Sequence, residues 1–401
     1  MLEKLTITGF KSIKELNSFE LKPVNLLIGA NGAGKSNFID FFRMLRAMLE
    51  FDIAELEEPS LTAFINNEGE MENILFNGPK ITKKIHTELL FNEGRNGYRF
   101  DLSLTAAAGF QINNEEMGYL KGSLMDWFPH GGGRTRPALI DDSAYRSQHI
   151  RNEIKSWQIY HFHDTSQLAS VRLPSRAYDN KFFQFDASNL AAFLYALKNG
   201  LTSGSFSPYS DIEGEPIGKE IQLPVLQPKN QSFCDAYKDI VETIKIIAPY
   251  FEDFILEPYV AGQEEKIKLQ WKQKGSSLPM QSYHLSDGTL RFICLATAML
   301  QPQPPELMLI DEPELGLHPE ALGILAELIK MRKAKTQFIL STQSPTFADF
   351  FEPEDIVTVK RKAGATIFER LDNNSLKDWL EQYSVGQLWC KNVIQGGTAN
   401  E

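Results

Sequence analysis

The pattern of apolar and polar positions marks out a small set of elements. Val24 to Ile28 (VNLLI) is a short, mostly apolar run of the kind buried on both faces of a parallel sheet. After nine glycine-rich residues, Phe38, Phe41, Phe42, Leu45, Met48 and Leu49 recur at helical spacing. Far downstream, Leu307 to Ile310 is another apolar run, ending abruptly in Asp311 and Glu312, and Thr336 to Thr342 reads as a further strand. IHTELLF and YRFDLSL, ending at Phe91 and Leu104, read as strands. Phe233, Tyr237, Ile240, Val241, Ile244 and Ile247 predict a helix of a few turns. In KIKLQWKQK the apolar Ile267, Leu269 and Trp271 alternate with Lys266, Lys268, Lys272 and Lys274, as one strand with a lysine face would.

The residues between the first strand and helix carry the clearest chemistry. GANGAGKSN, comprising Gly29, Ala30, Asn31, Gly32, Ala33, Gly34, Lys35, Ser36 and Asn37, meets the pattern G-x-x-x-x-G-K-[ST]. At ordinary glycine usage a chain this long would match by chance in roughly one or two cases per hundred. Backbone N–H groups of such a loop converge on phosphate oxygens, and the helix dipole favours negative charge there. Lys35 can reach the β and γ oxygens, and the Ser36 hydroxyl can ligate magnesium. The pattern therefore predicts a nucleotide-phosphate site with Mg2+. Asp311 and Glu312, two adjacent acids at the end of a buried strand, form the complementary half: Asp311 for the magnesium shell, Glu312 to activate the attacking water.

Composition narrows the setting. The 401 residues are 42% hydrophobic and carry a net charge of −11, which argues against coating nucleic acid through the overall field but leaves room for a local basic patch. The acidic run Glu50 to Ser60 reads as a solvated face. No run approaches the roughly 20 apolar residues that span a bilayer, and the first residues lack a signal-peptide pattern, so the expected location is the cytoplasm, with no membrane partner. The three cysteines, Cys234, Cys294 and Cys390, show no metal spacing and read as packed thiols.

Taken together, ITGFKS at Ile7 to Ser12, GANGAGKSN, LSDGT at Leu285 to Thr289, LIDEPELGLHP and LSTQS at Leu340 to Ser344 resemble the RecF/SMC/OLD branch of the ABC-type ATPases. The resemblance is nearest to short bacterial AAA-type ATPases without a long coiled coil, of the kind found in phage-defence loci. It implies an α/β fold: an ABC-type P-loop ATPase head with a β subdomain and a mainly helical insertion. The implied domains are an N-terminal lobe over 1–78, the β subdomain and insertion over 79–254, and a C-terminal lobe over 255–401. It also implies a homodimer in which ATP is sandwiched between heads, with Ser286 and Gly288 of one chain closing on the γ-phosphate held by the other. Catalytic roles then fall to Glu312, Lys35 and Gln343. The function it implies is an ATP-hydrolysing switch acting on DNA or on a separate effector, a nuclease or toxin, in phage defence or DNA maintenance. An OLD-type nuclease component is the first alternative and a transporter ATPase subunit the second.

Departures from that pattern are informative. LSDGT has Asp287 where the commonest signature has glycine and Thr289 where it has glutamine. Gln343 stands where many relatives carry histidine; its amide can hydrogen-bond but cannot carry charge near neutral pH. Ile65 to Gly78 offers no glutamine for the family's Q-loop. HGGG at His130 to Gly133 and SGSFSPYS read as loops, and His161 with His163 as packed histidines on one face of a strand. The four lysines mark a candidate DNA track, against the plainer reading of edge-strand protection.

Overall fold

The computed structural model describes residues 1–49, 61, 64–65, 71–92, 94–105, 109–122, 124–201 and 229–394. The acidic run Glu50 to Ser60 and SGSFSPYS lie outside the described residues, as does part of the stretch searched for a Q-loop. Two compact units emerge, and neither is a single stretch of chain. The first comprises Met1–Ile159, Pro305–Pro313 and Lys333–Glu401; the second, Tyr160–Pro304 and Glu314–Arg332.

In the first unit, strands β1 (Leu2–Phe10), β2 (Ile13–Glu20), β4 (Lys84–Phe91), β5 (Asn96–Leu104), β6 (Phe110–Lys121) and β7 (Leu124–Gly131) form a sheet in the order β2-β1-β4-β5-β6-β7. All its pairings are antiparallel. A second sheet runs β18-β17-β3-β16-β15-β8, from β3 (Val24–Ile28), β8 (Gln158–Tyr160), β15 (Leu307–Asp311), β16 (Gln337–Thr342), β17 (Ile356–Lys362) and β18 (Ala365–Arg370). Its centre, β17, β3, β16 and β15, is parallel. Every residue of β3 and β16 is buried, as expected of strands at the centre of a parallel sheet. Asn25 of β3 is polar and fully buried but satisfied: its amide donates to the carbonyls of Lys22 (2.6 Å) and Phe338 (3.0 Å), and its oxygen accepts from Arg370 (2.6 Å).

Helix α1 (Lys35–Leu49) carries the predicted phenylalanines, all with relative exposure of 0%. Phe38 and Phe42 pack edge-on at 5.3 Å, Phe10 meets Phe41 at 5.5 Å, and Phe42 lies 5.4 Å from Trp157. One core cluster joins these rings to both sheets. At about 1.5–3 kcal/mol for each fully buried phenylalanine, this face fixes the helix, and with it the loop that precedes it. Helix α2 (Tyr145–Ser156) completes this part of the unit. Helices α7 (Pro345–Ala348), α8 (Asn373–Leu380) and α9 (Val385–Cys390) follow the switch strand and the terminal hairpin.

The second unit holds helices α3 (Leu190–Asn199), α4 (Gln231–Ile247), α5 (Asp287–Leu300) and α6 (Pro319–Arg332). It also holds two three-stranded sheets. One is ordered β11-β12-β9, with β9 (Ser175–Arg176), β11 (Pro258–Ala261) and β12 (Glu264–Ile267); the other is β10-β13-β14, with β10 (Phe251–Ile255), β13 (Gln270–Gln273) and β14 (Met280–Gln281). Helix α5 is almost wholly buried, and Phe292 and Ala296 pack with Ala321 of α6. Burial pushes the Cys294 thiol up to about 12, so it is an inert core group.

Three sequence readings need correcting. KIKLQWKQK is not one strand: pairing breaks after Ile267, so Lys266 belongs to one small sheet and Lys272 to the other. Ile267, Leu269 and Trp271 are buried in alternation as expected, but the lysines do not form a continuous track. Lys272 meets Glu252 at 2.7 Å, Lys266 meets Glu264 at 3.5 Å, and Lys268 lies over the Tyr259 ring. His130 and Gly131 end strand β7 rather than opening a loop, and His130 is bonded to Asp142 at 3.0 Å. His161 and His163 follow β8 rather than lying within it; their rings are 4.1 Å apart. No described helix is long and apolar enough to cross a membrane.

Candidate functional site

The phosphate-type loop of the first unit is shaped by what surrounds it. Gly34 has φ +108°, and a Cβ there would lie 2.1 Å from Thr366 Oγ1 and 2.8 Å from Ser12 Oγ. Those hydroxyls bond each other at 2.7 Å, Ser12 also accepts from the Asn37 amide at 2.7 Å, and Thr366 donates to the Ala33 carbonyl at 3.0 Å. The loop is thus held from behind by the start of the chain and by β18, residues 354 positions apart. A Cβ at Gly29 would meet the Val359 carbonyl at 2.3 Å, whereas Gly32, at φ +77°, opens onto free space. Lys35 is 6% exposed, its ammonium donating to the carbonyls of Gly29 (2.5 Å) and Ala30 (3.1 Å). Those bonds curl the side chain back over the loop, and the first turn of α1 has neither acidic side chains nor intrahelical partners for its N–H groups. This cradle suits a polyphosphate.

The acidic half stands at the same edge of the sheet. β16 lies between β3 and β15, with Thr342 beside Ile28 and Ser341 beside Asp311. At roughly 4.8 Å per strand spacing, the ends of β3 and β15 are about 10 Å apart. The loop after β3, Gln343 after β16 and Asp311–Glu312 at the end of β15 all leave this one edge, where parallel α/β sheets bind ligands. Ser341 Oγ donates to Asp311 Oδ1. The Glu312 N–H donates to the Ser341 carbonyl (3.1 Å) and hydroxyl (3.2 Å), and Glu312 turns into the left-handed region at φ 44°. Gln343 Nε2 donates to Glu312 Oε1. One carboxylate and one hydroxyl are what the protein usually gives magnesium beside phosphates and water, so Asp311 and Ser36 fit that metal.

Ser286 and Gly288 belong to the second unit. Ser286 caps α5, its hydroxyl accepting from the Thr289 N–H at 3.1 Å. A Cβ at Gly288 would strike the Gly316 carbonyl at 2.4 Å, which accounts for the glycine. Arg291, 6% exposed, ties the helix to its surroundings: Nε donates to the Phe162 carbonyl and Nη2 to that of His163, each at 2.8 Å, and Nη1 to that of Leu315. Burial lowers its pKa, opposed by the nearby Asp287. Ser341, Thr366 and Arg172 were not singled out by sequence. A serine and a threonine buried in strands are the faint signals that could have found the first two.

The comparisons with known proteins agree with this architecture. The chain is similar to an SMC head bound to the C-winged helix domain of ScpA, at 14% identity and a TM-score of 0.55, over 94% of this chain and 99% of that one. It is likewise similar to an SMC head with an extended coiled coil, bound to the C-terminal domain of ScpA derived from Pyrococcus furiosus. That likeness has 14% identity and a TM-score of 0.51, over 95% and 98% of the two chains. At such identity the likeness shows the fold, an ABC-type, RecF/SMC-like P-loop ATPase head. No curated protein matches. A family model described as "AAA domain, putative AbiEii toxin, Type IV TA system" matches residues 24–349, from β3 through α7. That span is most of the chain, which therefore belongs to this AAA-domain family.

Proposed function

We propose that the chain binds ATP with magnesium at the Gly29–Asn37 loop and hydrolyses it as a two-headed switch. The observation that carries this reading is the common edge from which the loop, Gln343 and the Asp311–Glu312 pair emerge. Lys35 exchanges its carbonyl partners for β and γ oxygens, and the N–H groups from Gly32 to Asn37 bind the phosphate chain. Magnesium held by Ser36 and Asp311 would neutralise charge on the transferring phosphoryl group. Glu312 accepts the proton of the attacking water, and Gln343 orients carboxylate and water.

Ser286 and the first-turn N–H groups of α5 complete the site of a second copy, so ATP holds two heads together and hydrolysis releases them. In domain terms, 1–78 and 255–401 supply the two ATPase lobes and 79–254 the β subdomain and insertion. The output is a change in contact with DNA or with a separate effector protein inside the cell. The family's description as a putative toxin of a type IV toxin–antitoxin system supports a toxin-linked output, for which phage defence is the setting we propose. The neutralised lysines of β12 and β13 favour a protein effector over DNA. An OLD-type nuclease would need its own metal centre, and among the described residues no group of three or more His, Cys, Asp or Glu could hold one.

The test is steady-state ATP hydrolysis by the purified chain with magnesium and with EDTA, followed by an ATP-dependent pull-down. Magnesium-dependent turnover supports the reading; none, in folded protein of proven dimeric state, sinks it.

A further inference from the structure

The signature segment is braced from behind by one arginine of the second unit. Arg172, with its side chain 6% exposed, spreads its guanidinium over four acceptors. Nε donates to the Thr165 carbonyl at 2.8 Å, and Nη1 to that of Ser282. Both Nη1 and Nη2 reach the Leu285 carbonyl at 3.3 Å, and Nη2 bonds Asp287 Oδ1 at 2.7 Å. Ser282 returns the contact, its hydroxyl donating to the Arg172 carbonyl at 3.1 Å.

Leu285 and Asp287 flank Ser286, so a single rigid fork fixes the residues on both sides of the helix cap. A planar guanidinium with five donors can do this; an ammonium cannot hold so many acceptors in one plane. The brace also explains the departure at position 287. A glycine there would offer Arg172 no acceptor, whereas the aspartate, 68% exposed, is free to turn toward it. A carboxylate in a first helical turn is favourable through the dipole alone, which is the plainer explanation of the residue.

We propose that Arg172 is a positioning residue for the signature, with Asp287 as its anchor, setting Ser286 and Gly288 at the angle needed to meet the γ-phosphate held by a second copy. This rests on the reading that the signature completes a partner's nucleotide site. The brace also ties the Thr165 carbonyl to that segment.

The test compares Asp287→Asn, Asp287→Gly, Arg172→Gln and Arg172→Lys with Ser286→Arg in the full chain, measuring kcat, KM, ATP affinity and thermal unfolding. Loss of the anchor in Asp287→Gly should lower kcat roughly tenfold; Asp287→Asn, which keeps an acceptor oxygen but not the charge, should lower it less. Loss of the guanidinium should lower it roughly a hundredfold, with Arg172→Lys between wild type and Arg172→Gln. ATP affinity should stay within about twofold, because the nucleotide's own loop is untouched. If Arg172→Gln does not fold, the exposed Asp287 variants decide alone. A brace that served only folding, or a dipole effect alone, would lower the unfolding temperature and leave kcat at wild-type level; that result overturns the proposal. Wild-type turnover in the Asp287 variants beside an inactive Ser286→Arg sinks this inference alone. Wild-type turnover in Ser286→Arg sinks the shared site beneath it.

Discussion

The side-chain amide of Gln343 donates a hydrogen bond to Oε1 of Glu312, whose backbone occupies the left-handed region at φ 44°. A neutral donor thus holds the carboxylate assigned to the attacking water. Gln343→Ala should lower kcat roughly tenfold and leave ATP affinity unchanged, because orientation is lost and binding groups are not. Gln343→His should add a limb to the pH–rate profile near about pH 6.5 that wild type lacks. Steady-state kinetics from pH 5.5 to 8.5 checks both, and an unchanged kcat in Gln343→Ala would remove Gln343 from the site.

Lys35 bonds two carbonyls of its own loop, so its charge is already at the place where phosphate oxygens are expected. Lys35→Ala removes that point charge and should abolish measurable ATP binding, with the fold retained because α1 is fixed by its phenylalanines. Fluorescent-nucleotide titration alongside circular dichroism reads the result. Undiminished affinity in a folded variant would mean that the loop is a turn and nothing more.

Gly34→Ala puts a methyl group 2.1 Å from Thr366 Oγ1 in a backbone conformation that side chains rarely adopt. We expect the loop to shift, ATP affinity to fall at least roughly tenfold, and stability to drop by about 1–3 kcal/mol. Calorimetry and urea denaturation measure the two effects. Wild-type affinity would show that the packing behind the loop does not set its shape.

Much of this arrangement is legible in the chain. VNLLI, the phenylalanines after it and the apolar run before Asp311 announce their elements, because burial on both faces or on one helical face leaves a periodic trace. The fork of Arg172 is not legible, since three of its four acceptors are backbone carbonyls, two of them more than a hundred residues away, and a carbonyl is common to every residue type. KIKLQWKQK misled for a related reason. Burial alternates through it, but the hydrogen bonds change sheets at Lys268, which a period of two cannot reveal. Likewise, nothing in the sequence links Ser12, in the turn between β1 and β2, to Thr366 on β18 until the chain brings them together behind Gly34.

Asp101, on β5, gives an acid-sensitive handle on the first unit. Burial alone would raise its carboxyl, but bonds from Lys84 (2.8 Å), Asn114 (2.7 Å) and His86 (2.8 Å) outweigh burial and hold it below the usual carboxylate range. Its contribution is therefore present above the unfolded value near 3.9 and is lost as pH falls through the lower folded value. Asp101→Asn should lower the urea midpoint at pH 7, and the gap to wild type should shrink as the pH falls below the usual carboxylate range. A gap that does not change with pH would show that the carboxylate's charge contributes nothing.

The most direct measurement is the association state of Glu312→Gln with ATP and magnesium. Glutamine keeps the size and reach of the side chain but cannot take a proton as a carboxylate does, so binding should survive and hydrolysis should not. ATP then persists between heads, held by Lys35 of one chain and by Ser286 and Gly288 of the other, and the closed dimer accumulates. Light scattering coupled to size exclusion should show Glu312→Gln shifting to a dimer with ATP and magnesium and remaining unshifted with ADP, with wild type shifting only transiently. Hydrolysis by Glu312→Gln at the wild-type rate, or ATP bound with no change in association, would contradict the nucleotide clamp.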